Sequence, residues 1–357
     1  MLSSKNSLQN QGTGFGHDTN QITMINRGGP IKKFRIEAQN RSSQGHREQH
    51  NSYDCQTFQN EYLCCFMKNK FNITKSRFDR CLAVFCLLLT PVFFSQCMSF
   101  RKTDQEITAY FENSPVKPSF GFANVGSRKI HYAEIGSDTL PLVVFVHGSP
   151  GSWTAFIDFF KDSILYRHAH LVSVDRLGFG KSGLGKVESS MQKQAEAIVA
   201  VITAAAPGSR ALLVGHSLGG PVIARAAMDY PSQISGLILV AGSIDPNLEK
   251  KEWFRPILGS FPFRQLLPVD LDVSNREIRP LKGELTKMLP LWSNIRMPVT
   301  VIQGEVDDLV PPGNADFAKR MLVNANVTVQ MIPEMNHFIP WRRPDLIRKA
   351  ILTQLAK

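Results

Sequence analysis

The chain has 357 residues, 43% of them hydrophobic, enough for one α/β domain of about 250 residues plus an extension. Its net charge of +11 is divided between residues 1–100 (+6) and residues 101–357 (+5), and the larger part has no Lys/Arg run interleaved with aromatics, which argues against nucleic-acid binding. All six cysteines (Cys55, Cys64, Cys65, Cys81, Cys86, Cys97) lie before residue 98 without a zinc-type CxxC pair, which argues against a disulfide scaffold, and neither a metal nor a cofactor is expected.

Residues 1–66 are rich in Asn, Gln, Ser, Gly and charge and show neither helical nor strand periodicity. They are expected to be disordered, or to be an upstream segment outside the mature protein. A 13-residue uncharged apolar run follows at 82–94, preceded by Lys68, Lys70, Lys75, Arg77 and Arg80, so residues 67–97 have the layout of a signal peptide. Met67 stands directly before the basic stretch and is the expected physiological start. A spanning helix needs about 20 apolar residues. The stretch 81–100 only just reaches that length with Pro91, Ser95 and Gln96 inside it, which favours a cleaved or lipidated signal. Ser95-Gln96-Cys97 resembles a bacterial lipobox, with Phe94 and Gln96 replacing the usual Leu-like and small residues. Membrane association through lipidated Cys97 or through the 81–100 segment is therefore expected, as in an exported protein anchored at a bacterial cell envelope. Secretion to the periplasm or medium is the alternative.

From about residue 105 to 357, short β-branched runs alternate with helical patterns, which predicts a mostly parallel sheet flanked by helices. The predicted strands are Lys129–Ile135, Leu142–Val146, Leu171–Asp175, Ala211–Gly215, Gly236–Val240, Val299–Gln303 and Val327–Ile332. The predicted helices are 188–205, 220–230, 314–323 and 344–355. In such sheets functional groups collect at the carboxyl ends of strands.

One such end is Gly215-His216-Ser217-Leu218-Gly219, with Ala-Leu-Leu-Val before it and a helical run from Pro221 after it. The pentapeptide pattern alone arises by chance about 0.1 times in a chain of this size, so its position on a strand-to-helix turn carries the specificity. Glycines permit the tight turn, and the first amides of the new helix face developing negative charge. A serine hydroxyl in this place needs a base and an orienting third group. The strand–turn–helix around Ser217 resembles the nucleophile elbow of the α/β-hydrolase fold family, whose chain order is serine, acid, histidine. Of nine histidines only His337 follows Ser217, so order alone names the base.

The run Pro298–Gly304 delivers three acids together, Glu305, Asp307 and Asp308. Gly304, Asp307, Leu309, Val310 and Pro311 match the family's acid loop Gly-x-x-Asp-x-Leu-Val-Pro. The resemblance implies Asp307, with Asp308 as the runner-up. The expected oxyanion donors are the backbone N–H of Leu218, after the nucleophile, and that of Ser149. The second is implied by the likeness of His147-Gly148-Ser149-Pro150 to the family's His-Gly-x-Pro loop, which leaves His147 a structural role. Asp175-Arg176-Leu177-Gly178-Phe179-Gly180-Lys181-Ser182 is similar to the family's Asp-x-x-Gly-x-Gly-x-Ser turn and is expected to be scaffolding, since it lacks the spacing of a phosphate-binding loop.

The resemblance spans residues 115–357 and implies an α/β class with an eight-stranded, mostly parallel sheet, flanking helices and a small helical cap. The 58 residues between Val240 and Val299 exceed an ordinary connection, and residues 243–296 are assigned to the cap. Most of its Trp253, Phe254, Leu258, Phe261, Phe263, Leu266, Leu267, Met288, Leu289, Leu291 and Trp292 are expected to form the cap's own core, the rest an apolar pocket. The implied activity is cleavage of an ester, amide or thioester of a small acyl substrate through an acyl-enzyme on Ser217. The alternatives are a non-catalytic binding protein of the same fold and a cofactor-free haloperoxidase or C–C hydrolase using the same three residues.

Overall fold

The structure, a computed structural model, describes residues 100–250 and 252–356. Residues 1–66, the signal-like stretch 67–97 with Cys97, and all of the 81–100 apolar segment but Phe100 lie outside the described residues. Among the described residues no helix is long and apolar enough to cross a membrane.

Eight strands form one sheet: β1 (Ser119–Val125), β2 (Arg128–Ile135), β3 (Leu142–Val146), β4 (His170–Val174), β5 (Ala211–His216), β6 (Ile234–Val240), β7 (Val299–Gly304) and β8 (Val327–Ile332). Their order is β1-β2-β4-β3-β5-β6-β7-β8, with β1/β2 and β2/β4 antiparallel and every other pair parallel. Among the described residues the α-helices of at least seven residues are α1 (Asp104–Tyr110), α2 (Met191–Ala205), α3 (Gly219–Asp229), α4 (Val269–Ile278), α5 (Leu281–Met288), α6 (Gly313–Met321) and α7 (Pro344–Leu355). The chain thus has the α/β-hydrolase fold expected from its motifs.

The two sheet faces explain why β3 and β5 read as continuous apolar runs. On β3, Leu142, Val144 and Val146 face a core shared with α2, α3 and α5. The intervening Val143 and Phe145 face a second core with Trp153, Phe156, Phe160, Ile347 and Ile351. Period-2 alternation persists but points apolar groups both ways.

Two expectations need correction. The first strand, β1, was not among the predicted ones, because its large side chains face outward: Phe120 and Phe122 are exposed while Ala123 is buried. The two rings cover His131, at centroid distances of 5.7 and 5.1 Å. At the same edge Gly121 lies flat against Tyr132, where any Cβ would fall 2.4 Å from the ring. The second concerns the apolar residues between β6 and β7. Met288 and Trp292 join the main core, Trp292 packing on Phe317 at 5.4 Å, whereas Trp253, Phe254, Phe261 and Phe263 are exposed. Single helical turns such as Arg255–Leu258 and Phe263–Leu266 are too short to enclose an interior of their own, so burial is available only against the large domain.

Candidate active site

Strand register decides what meets at the sheet's carboxyl edge. Val146 pairs with Val174 and Gly215, His216 with Val240, and Gly304 with Ile332. The segments beginning at His147, Asp175, Ser217, Ala241, Glu305 and Pro333 therefore leave the sheet side by side.

Ser217 occupies the left-handed region, with φ of +55°. A non-glycine residue there costs of order 1–3 kcal/mol and persists only when its surroundings hold it. Here Ser217 N–H donates to Val240 O at 3.0 Å, while Ser217 O accepts from Gly220 N at 2.9 Å and Ser243 N at 3.2 Å. Both glycines of the pentapeptide are required by close approach. A Cβ on Gly215 would lie 2.5 Å from Gly219 O, and one on Gly219 would lie 2.2 Å from Val146 O. Leu218 then opens α3. Among the described residues the backbone N–H groups of Leu218 and Ser149 donate to no protein acceptor.

Asp307 and His337 come together across the ends of β7 and β8. Asp307 Oδ2 accepts from His337 Nδ1 at 2.8 Å, with the carboxylate fully buried and the imidazole nearly so. Asp307 Oδ1 accepts from the N–H groups of Leu309 (3.0 Å) and Val310 (2.8 Å), and Gln303 Nε2 donates to Oδ2 at 3.3 Å. Asp308 and Glu305 are exposed. The carboxylate holds the His337 proton on Nδ1, which leaves Nε2 an acceptor. No hydrogen bond joins Ser217 Oγ to the ring among the described residues, and such contacts commonly tighten only around substrate.

His216, inside the pentapeptide, supports His337. The two rings pack at a 45° tilt with centroids 4.6 Å apart, and His216 Nε2–H donates to His337 O at 3.0 Å. His147 is equally committed. Its Nε2 accepts the Arg176 backbone N–H at 3.0 Å, so its proton sits on Nδ1 and is donated to Gly148 O at 2.7 Å. Asp175 acts as a clamp, accepting from Trp153 N, Lys181 N and His131 Nδ1 at 2.8 to 2.9 Å. Burial opposes its ionised form, but these donors, His131 foremost, hold its carboxyl below the usual range. A Cβ on Gly180 would lie 2.1 Å from that carboxylate. Four contributors were not assigned from sequence: His216, Gln303, Arg176 and Glu277. The first three lie in or beside quoted motifs, but Glu277 sits in a charged helix with no distinguishing pattern.

Burial pushes His147 down to about 3, with the Arg176 charge adding to the effect, and burial and then His337 push His216 down to about 3. Their unperturbed value is 6.5. Between pH 3 and 6.5 the unfolded chain binds protons at these rings that the folded chain refuses. Stability therefore falls as pH drops through that window, with a slope of up to about 1.4 kcal/mol per pH unit for each ring, and neither ring contributes slope above it. Urea unfolding is expected to give a level free energy from pH 8 to 7 and a decline toward pH 5. An unchanged free energy between pH 7 and pH 5 contradicts the neutral assignments.

Residues 141–279 match the family model described as alpha/beta hydrolase fold. Among curated relatives, the 2-(acetamidomethylene)succinate hydrolase of Mesorhizobium japonicum is 23% identical over 64% of this chain and 92% of its own length. The pimeloyl-[acyl-carrier protein] methyl ester esterase of Wigglesworthia glossinidia brevipalpis is 28% identical over 61% and 94%. Among solved structures, a membrane phospholipase A described as a bacterial virulence factor aligns with a TM-score of 0.54 at 18% identity, covering 84% of this chain and 98% of that one. That likeness bears on the fold.

Proposed function

We propose that this protein is a serine hydrolase that cleaves esters of small acyl substrates through an acyl-enzyme on Ser217. The observation that carries the reading is the buried Asp307–His337 hydrogen bond at the same sheet edge as the strained Ser217 turn. Ser217 Oγ attacks the carbonyl carbon while His337 Nε2 takes its proton, and Asp307 stabilises the resulting imidazolium. The tetrahedral oxyanion is received by the unpaired N–H groups of Ser149 and Leu218, an arrangement typically worth several kcal/mol of barrier. Collapse breaks the ester C–O bond, with His337 returning the proton to the leaving oxygen. Water, deprotonated by the same ring, then releases the acid and regenerates Ser217.

Ester cleavage is favoured within the hydrolase class because one relative is named for a methyl ester. The half-exposed side chains of Phe338 and Trp341 stand beside His216 and His337, offering apolar surface to an acyl chain. The purified full chain is expected to turn over p-nitrophenyl acetate, butyrate and hexanoate and to react with a fluorophosphonate. Absence of both from folded protein would falsify the reading.

A further inference from the structure

The Ser149 amide is aimed by groups that lie behind it. A trans peptide places its C=O and N–H on opposite sides, and the Gly148–Ser149 bond is not among the cis peptides. Gly148 O is held by Arg176 Nη2 at 2.9 Å and by His147 Nδ1 at 2.7 Å. Arg176 Nε also donates to the preceding carbonyl, His147 O, at 2.9 Å. The Ser149 N–H is thereby turned away from Arg176, while Gly148 lies so close to Ser217 that a Cβ on it would come within 2.8 Å of Ser217 Cβ.

The guanidinium is in turn held by one residue from the helical segment between β6 and β7. Glu277, on α4, accepts from Arg176 Nη1 at 2.9 Å and from Nη2 at 2.8 Å, and both side chains are fully buried. The Phe179 ring, 5.0 Å from the guanidinium carbon, closes one side. The bidentate pair adds two charge-assisted hydrogen bonds to the two carbonyl contacts and so holds the position and the plane of the arginine. The same helix packs on the arginine's own turn, with Val273 against Gly178 and Arg276 Nη2 donating to Gly185 O at 2.9 Å.

We propose that Glu277 is a positioning residue for the oxyanion site, setting the direction of the Ser149 N–H through Arg176 and so coupling the seating of α4 to catalysis. The proposal rests on the serine hydrolase reading. Glu277 touches neither substrate nor nucleophile, so its effect falls on the transition state, where the oxyanion forms, rather than on substrate binding.

The test uses the full chain with p-nitrophenyl butyrate, comparing wild type with Glu277→Gln and with the double variant Arg176→Met/Glu277→Leu. Replacing a buried ion pair by apolar side chains is often neutral for stability, whereas breaking it is not. The double variant therefore removes the aiming without leaving a buried charge unpaired, at the cost of the two carbonyl hydrogen bonds of Arg176, and its folding is checked by urea unfolding. The expected result is a kcat lower by roughly tenfold to a hundredfold with KM within about twofold, as for partial loss of one oxyanion donor. Fluorophosphonate labelling of Ser217 slows by a similar factor yet reaches completion. Wild-type kcat in either folded variant, or a raised KM at unchanged kcat, overturns the proposal. If neither variant folds, the pair is a stability element and the proposal fails. If the wild type itself is neither labelled nor active, the hydrolase reading fails first, which a defect confined to the variants does not imply.

Discussion

Ser217→Ala is expected to remain folded, to lose fluorophosphonate labelling and to lose esterase kcat by a factor on the order of 10⁶, the scale seen when the nucleophile of a serine triad is removed. Folding should survive because the hydroxyl contributes no hydrogen bond within the protein, and alanine meets the same φ of +55° that serine already tolerates. The unfolding free energy should therefore stay within about 0.5 kcal/mol of wild type. Intact-protein mass spectrometry after treatment with the probe reads the labelling directly. Retained labelling in the alanine variant moves the nucleophile elsewhere. Unlabelled wild type favours a binding protein of this fold, and peroxide-dependent halogenation favours the haloperoxidase alternative.

The second large effect belongs to Asp307→Asn, for which kcat is expected to fall by about 10⁴ with a near-normal fold. The reason is an enforced proton location. Two backbone N–H groups, of Leu309 and Val310, point at Oδ1, so an asparagine must place its carbonyl oxygen there. Its NH₂ group then occupies the Oδ2 position and donates to His337 Nδ1. The ring must carry its proton on Nε2 and can no longer accept one from Ser217. Gln303, whose amide nitrogen also faces that position, would be opposed by the new NH₂ and add a small stability cost. Asp308→Asn is the matched control. Asp308 is exposed, and its backbone carbonyl, not its carboxylate, receives Lys250, so kcat should stay within about twofold. Comparable losses in both variants would contradict Asp307 as the orienting acid.

How much of this was readable from sequence follows from which signals are local. The strand–turn–helix at Ser217 was legible because its requirements are local: buried aliphatics, then glycines where no Cβ fits, then a helical run. The two-faced burial of β3 and β5 was legible for the same reason, since continuous apolar runs bounded by turns leave few other structures. β1 was not, because its aromatics face outward over His131 and invert the usual pattern. The apolar residues between β6 and β7 were placed in a separate core because composition reports that side chains want burial but not against what.

The candidate site divides along the same line. Chain order and local context singled out Ser217 and His337 and brought Glu305, Asp307 and Asp308 together, and the likeness to the family's acid loop implied Asp307 among them. The register of β7 against β8 and the two loop amides that converge on Oδ1 make Asp307 the partner of His337, a distinction of a few ångströms between neighbouring carboxylates. The contacts of Arg176 and Glu277 lay wholly beyond sequence, 101 positions apart and joined only by the packing of α4 over the β4 turn. By itself the sequence determined the elements, their order and the chemical groups at the sheet edge, because these depend on periodicity and turn chemistry. The tertiary structure alone decided which atoms of Asp307 meet His337 and the loop amides and what aims the Ser149 amide, because hydrogen-bond direction depends on atoms brought together from distant parts of the chain.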